Sequence, residues 1–121
     1  MEYITGWATV LGLLAASALY VMNTMSPKQG ERRIWTHCTI GKLTLVASVA
    51  HLLSMPFDGF NNFAIWSAVG LIFLTMGTGL ILNYIPDAGV VRYHVRSIHP
   101  ALIIAIIIAV SHHVLVVLEF I

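Results

Sequence analysis

The sequence predicts an all-α membrane protein, folded as a four-transmembrane-helix up-and-down bundle. Three observations carry that prediction. Of the 121 residues, 59% are hydrophobic and only 9% charged, more apolar surface than a soluble domain of this size can hide. The apolar residues fall into four runs separated by short polar or turn-forming stretches, and about 20 helical residues cross a hydrocarbon core of about 30 Å. Two of the runs each enclose a pair of histidines at the same spacing.

The first run spans residues 4–24 and stops at Ser26-Pro27, because proline cannot continue a helix ladder. It starts with no basic leader and no small-residue cleavage site, so it reads as a retained helix and not a signal peptide. Lys28 to Arg33 form a short basic loop. The second run, 34–55, carries His37, Gly41, Lys42 and His51, and Pro56-Phe57-Asp58-Gly59 turns the chain after it. The third, 60–84, contains Gly70, Gly77 and Gly79 and is broken by Pro86-Asp87-Ala88-Gly89. A basic stretch with Arg92, His94 and Arg96 leads into the fourth run, 98–120. Ser97 is its expected N-cap, with Pro100 in the first turn. A start near Arg92 would instead place Pro100 inside the helix and kink it. Short connections make neighbouring helices antiparallel. Residues 1–121 therefore read as one domain, in which the second and fourth helices run in the same direction and lie diagonally.

Charge sets the expected orientation. Lys28, Arg32, Arg33, Arg92 and Arg96 fall at one end of the bundle; Glu2, Asp58 and Glu119 fall at the other, with no Lys or Arg. By the positive-inside rule, a multi-pass protein of this pattern in the cytoplasmic membrane keeps both termini outside. Lys42, within the second run, is expected to snorkel toward the cytoplasmic surface. Trp7, Trp35 and Trp66 read as interfacial anchors or cofactor-edge aromatics.

His37 and His51 are 14 residues apart, as are His99 and His113. Fourteen helical steps return to within about 40° of the starting direction and advance about 21 Å. Each pair thus shares one helix face at two depths. Set face to face, the two helices bring four imidazoles together as two couples, His37 with His99 toward the cytoplasm and His51 with His113 toward the outer face. An iron porphyrin offers two axial positions that imidazole fills. The pattern points to two stacked haem b groups, with these four histidines as iron ligands. No Cys-x-x-Cys-His run is present, so the haems are expected to be non-covalent. The single Cys38 excludes an internal disulfide and any Cys-rich cluster.

The competing readings are structural histidines bonding between helices, a proton pathway, or another metal. Zinc or copper would want ligands gathered at one depth. His112 competes with His113 for the outer position. It lies 13 residues from His99 and points about 140° away from it on an ideal helix, so a π-bulge or kink is needed to bring it round. His94 reads as an interfacial histidine. Gly41, one turn past His37, admits close approach of a haem plane, although glycine is common in membrane helices anyway. Gly70 and Gly77 share a face, which close helix packing explains as well as a haem does. Arg32, Arg33 and Arg96 lie just outside the inner histidines and suit haem propionates; the orientation rule accounts for them without any haem. The two histidine pairs are offset by 62 residues, a weak internal repeat whose remaining positions match poorly.

At these residues the chain resembles the four-helix di-haem core of membrane cytochromes b. That core occurs in the cytochrome b subunit of quinol–cytochrome c oxidoreductases and in ferric reductase-like transmembrane proteins. The stretch HCTIGKLTLVASVAHLL is especially similar: a histidine, an apolar run with an early glycine, then a second histidine. The resemblance covers nearly the whole chain and implies that two haems relay electrons between the membrane faces. It assigns His37 and His99 to the inner haem, and His51 and His113 to the outer. These 121 residues contain no counterpart of the flavin and nicotinamide domain of ferric reductases, nor of the extra spans and quinone-site loops of larger cytochrome b subunits.

Bis-histidine ligation leaves no open iron position, so the haems would carry electrons and not bind oxygen. The expected function is transmembrane electron transfer, as the cytochrome b subunit of a redox complex. The alternatives are a self-standing membrane oxidoreductase acting on quinone or a small oxidant, and a non-redox small transporter or assembly subunit. Expected partners are membrane lipid and a redox subunit or quinone. The basic end could dock an acidic redox subunit, or anionic lipid. The chain leaves no room for a nucleic-acid surface.

Overall fold

The computed structural model describes residues 2–26, 30–55 and 63–119. They form four α-helices: α1 Glu2–Met25, α2 Gly30–Ser54, α3 Phe63–Tyr84 and α4 Gly89–Val117. No strand occurs among the described residues. The chain divides into two compact units, Met1–Met55 and Pro56–Ile121. Each contains a pair of packed helices.

In the first unit, α1 and α2 are antiparallel, as three cross-helix meetings show. Thr5 lies against His51, Gly12 against Thr44, and Ala16 against His37. As the α1 number rises the α2 number falls. The two helices meet most closely at Gly12, where the Thr44 side chain occupies the space a β-carbon would need, with Thr44 Cβ only 3.1 Å from that position. Thr44 is 2% exposed, and its hydroxyl donates to its own helix at Ile40 O, 2.8 Å away. Glu31 stands in the first turn of α2, where a carboxylate suits the helix dipole. The helix starts at Gly30, four residues before the run read from hydropathy.

In the second unit, the turn at Pro86 and Asp87 reverses the chain between α3 and α4. Gly89 opens α4 with φ +52°, a left-handed conformation that glycine adopts freely. The buried residues of α3 are Ala64, Ile65, Ala68, Ile72, Thr75 and Thr78, which recur at helical spacing along one stripe. On α4, Val95, Leu102 and Ile106 are buried and share a stripe with His99 and His113.

The start of α4 differs from the expected 98. The helix begins at Gly89, so Arg92, His94, Arg96 and Ser97 are helical, and Ser97 is not the N-cap. Ala88 holds that position without a side-chain cap bond. The reason is local: after Gly89 no glycine or proline interrupts the chain until Pro100. Pro100 lies inside the helix, where it offers no N–H to the carbonyl of Arg96. The other observed boundaries fall within a few residues of those expected; residues 60–62 and Pro56 to Gly59 lie outside the described residues, as does Lys28.

Tyr3–Met25, Phe63–Tyr84 and Gly89–Val117 are long and apolar enough to cross a membrane. Their surfaces are apolar too: Trp7, Leu11 and Leu14 on α1, and Ile104, Ile107 and Ile108 on α4, are all exposed. The chain is an all-α membrane protein. α2 is long enough, at 25 residues, but is not among the three helices that qualify. Two histidines, Lys42 and a series of threonines and serines lower its apolarity.

Candidate functional site

Each unit holds histidines by groups on the neighbouring helix. In the first unit, His37 is half-buried and its Nδ1 lies 2.9 Å from the Ala16 carbonyl oxygen. A carbonyl only accepts, so Nδ1 is the donor and the neutral ring carries its lone pair on Nε2. His51, also half-buried, is seated on Thr5 and Gly6. Thr5 Oγ1 lies 3.4 Å from Nδ1, a long contact by hydrogen-bond standards. A β-carbon at Gly6 would stand 3.1 Å from the ring Cε1, so glycine lets the ring edge lie against the α1 backbone. The two histidines are about 21 Å apart along α2, with the Gly12–Thr44 contact between them.

In the second unit, His99 is seated in the same manner on Thr78 and Gly79. Thr78 Oγ1 lies 2.8 Å from His99 Nδ1. The single hydroxyl hydrogen of Thr78 also has acceptors on its own helix, at Thr75 O (2.8 Å) and Leu74 O (3.0 Å). With that hydrogen on its own helix, Thr78 accepts from an Nδ1–H of His99 and the ring's lone pair falls on Nε2. A β-carbon at Gly79 would meet His99 Cε1 at 3.1 Å. The antiparallel register set by Thr78 and His99 places position 64 at the level of position 113. Ala64 is 0% exposed and His113 is half-buried, whereas His112 and His94 are exposed.

The chain contains two Thr-Gly dipeptides, 5–6 and 78–79, and each seats a histidine. Sequence reading by histidine spacing passes over them. The signal was present: a hydroxyl followed by glycine, on the helix that precedes each histidine-bearing helix.

The arginines divide. Arg33 Nη1 donates to Met22 O at 2.8 Å and to Ser26 O at 2.6 Å, closing the carbonyl end of α1. Arg92 Nη1 reaches Ile85 O at 3.4 Å just past α3. Each is the fourth residue of the second helix of its pair. Nε and Nη2 are the further donors of Arg33 toward any carboxylate. Arg32 and Arg96 are exposed. Gly41 is half-buried on α2, one turn past His37. Lys42 is exposed, as are Trp7, Trp35 and Trp66. Gly70 and Gly77 would each accept a β-carbon with no atom within 4 Å, so close packing onto α4 does not account for them.

Among the described residues no group of three or more His, Cys, Asp or Glu gathers to hold a metal ion. The chain offers single imidazoles spaced along helices, two of which, His37 and His99, have Nδ1 within 2.9 Å of an oxygen on the neighbouring helix. That donor set fits an iron porphyrin, which brings four of its own nitrogens and needs one or two from the protein. Outer partners at the second ring nitrogen are the usual means of fixing a ligating histidine. No protein-family model, curated protein or solved structure matches the chain.

Proposed function

We propose that the protein is a membrane cytochrome of b type, carrying electrons across the bilayer through two non-covalent, bis-histidine haems. His37 and His99 ligate the inner haem, and His51 and His113 the outer. The observation that supports this reading is the contact of Nδ1 with an oxygen of the neighbouring helix in both His37 and His99, the orienting partner a ligating histidine uses when Nε2 is its metal-facing nitrogen. The haems supply a one-electron ferric–ferrous couple with no open coordination position. The chain supplies ligands, orientation and a dry apolar surround.

The reading requires α2 to be the fourth span. Its hydroxyls support that. Thr36, Thr39, Thr44 and Ser48 each donate to the carbonyl four residues back, so they enter an apolar medium already bonded. α2 also meets α1 from Thr5–His51 at one end to Met22–Arg33 at the other. Where α1 crosses, α2 crosses with it. Arg32, Arg33, Arg92 and Arg96 then mark the cytoplasmic side, and both termini lie outside. Gly41 gives a haem close access to α2, and Arg32, Arg96 and the outer donors of Arg33 pair with propionates. Its redox partners are a subunit docked on that basic face, a membrane quinone, or both.

The test is haem content and redox state. The full chain, purified from membranes in mild detergent, is expected to hold two haems b per chain, extractable with acidic acetone. Both are expected to be low-spin in either oxidation state and reducible by a quinol or a co-purifying redox subunit. A chain that takes up no haem, takes up one, or keeps it covalently overturns the proposal.

A further inference from the structure

We infer that Thr78 and Gly79 are positioning residues for His99: the hydroxyl fixes which ring nitrogen faces the iron and strengthens it as a donor, and the glycine lets the ring settle close enough to do so. The inference rests on the haem reading and goes beyond it, because spacing alone says nothing of how a ligand is oriented.

The geometry carries it in three parts. Thr78 is 8% exposed, so water does not compete for the 2.8 Å contact with His99 Nδ1. Leu74 O and Thr75 O both lie within reach of the hydroxyl hydrogen; with the hydrogen on either of them, Thr78 accepts from the ring and selects the Nδ1–H tautomer. Gly79 then stands at the Cε1 edge of that ring, at a distance where an added β-carbon forces a shift of a few tenths of an ångström. A donated bond at Nδ1 moves charge toward Nε2 and raises the basicity of the ligand. A more basic imidazole favours ferric over ferrous iron, so the bond holds the potential of that haem down.

The four histidines do not share one device. His37 uses a main-chain carbonyl that no side-chain change removes, and His51 has the same Thr-Gly seat with a hydroxyl contact of 3.4 Å. Thr78 is therefore the residue where a single substitution separates tautomer control from ligation. Valine at 78 keeps the shape and loses the acceptor; serine keeps the acceptor.

The experiment uses the full-length protein with its haems. Wild type, Thr78→Val, Thr78→Ser and Gly79→Ala are compared by redox titration followed spectroscopically, and by haem loss to a scavenger protein. Thr78→Val is expected to raise the potential of one haem only, and to weaken its retention about 10–100-fold, with the other haem unmoved. Thr78→Ser is expected to restore both properties. Gly79→Ala is expected to weaken retention of the same haem. In the ferrous, diamagnetic wild type labelled with ¹⁵N-histidine, one slowly exchanging Nδ1–H is expected that Thr78→Val loses; this reading of the wild type stands even where a variant fails to fold. Two haems in wild type with unchanged potentials in Thr78→Val overturns the inference alone, as does Thr78→Ser behaving like Thr78→Val, or a His99 ring protonated at Nε2. A wild-type chain without haem overturns the reading beneath it.

Discussion

The Ala16 carbonyl receives a hydrogen bond from His37 Nδ1 at 2.9 Å, so a main-chain group of α1 sets the direction of a side chain on α2. Ala16 is itself buried, 9% exposed. A small residue there keeps the carbonyl within reach of the ring. Enlarging it to leucine is expected to push α2 off α1 at that level and to lose the inner haem, while Ala16→Gly keeps it. Separate optical signatures of the two haems check the result, and an unchanged spectrum in Ala16→Leu would count against the anchor.

Ligation itself gives the second prediction. His37→Ala and His99→Ala are expected to lose one and the same haem, and His51→Ala and His113→Ala the other. His112 is exposed on α4 whereas His113 is half-buried, so His112→Ala is expected to leave both spectra intact. Loss of the outer haem in His112→Ala, with His113→Ala spared, would overturn the assignment.

Stability of the first helix pair is expected to hinge on Gly12. With Thr44 filling the β-carbon position, Gly12→Val must separate the helices, and overpacking of this kind costs about 1–3 kcal/mol. Gly70→Ala and Gly77→Ala are the controls, since no atom lies within 4 Å of the added carbon; each is expected to leave stability unchanged or raise it by up to about 1 kcal/mol, alanine being the better helix former. Equilibrium unfolding in mixed detergent measures the three. Equal costs at all three positions would refute the close contact.

Arg33 is expected to act as a helix cap. Its two bonds to Met22 O and Ser26 O are solvent-facing, so Arg33→Gln is expected to cost about 1 kcal/mol, at the low end for bonds made by a charged donor. Arg96→Gln, at an exposed residue, is expected to cost less. The same unfolding assay ranks them, and the reverse order would remove the cap.

Much of the fold is legible in the sequence because hydropathy and helix breakers are local. Four runs, the Pro86-Asp87 turn and the matched histidine pairs are all read without a structure. The start of α4 is not, since proline is favoured in a first turn and Ser97 is a plausible cap; only the absence of a breaker between Gly89 and Pro100 argues otherwise. The Thr-Gly seats are hidden for a different reason. Thr5 and Thr78 meet their histidines only through antiparallel register, which aligns residues 46 and 21 positions apart. α2 shows the converse failing of composition. Its hydroxyls count as polar in any hydropathy sum, yet each is satisfied within its own helix.

The number of crossings decides where the chain ends, and so gives the sharpest test of the membrane arrangement. With α1 crossing and the basic end inside, four spans return the C-terminus to the outer side. Three spans, with α2 lying along the surface, would leave Asp87 outside and the C-terminus inside. The basic residues oppose that outcome, because Arg92 and Arg96 would then be translocated. Single cysteines at Asp58 and Asp87, in a Cys38→Ser background, distinguish the cases with a membrane-impermeant thiol reagent on intact cells. Labelling is expected at 58 and not at 87, and a reporter fused at the C-terminus is expected to be active only outside the cytoplasm. Labelling at 87 with none at 58 would refute this arrangement, and a reporter at the N-terminus then separates an inverted four-span bundle, with that terminus inside, from three spans, with it outside. Three spans would show that α2 does not cross. The haem proposal would then fall with it, since His37 and His51 would lie at one depth and not at two.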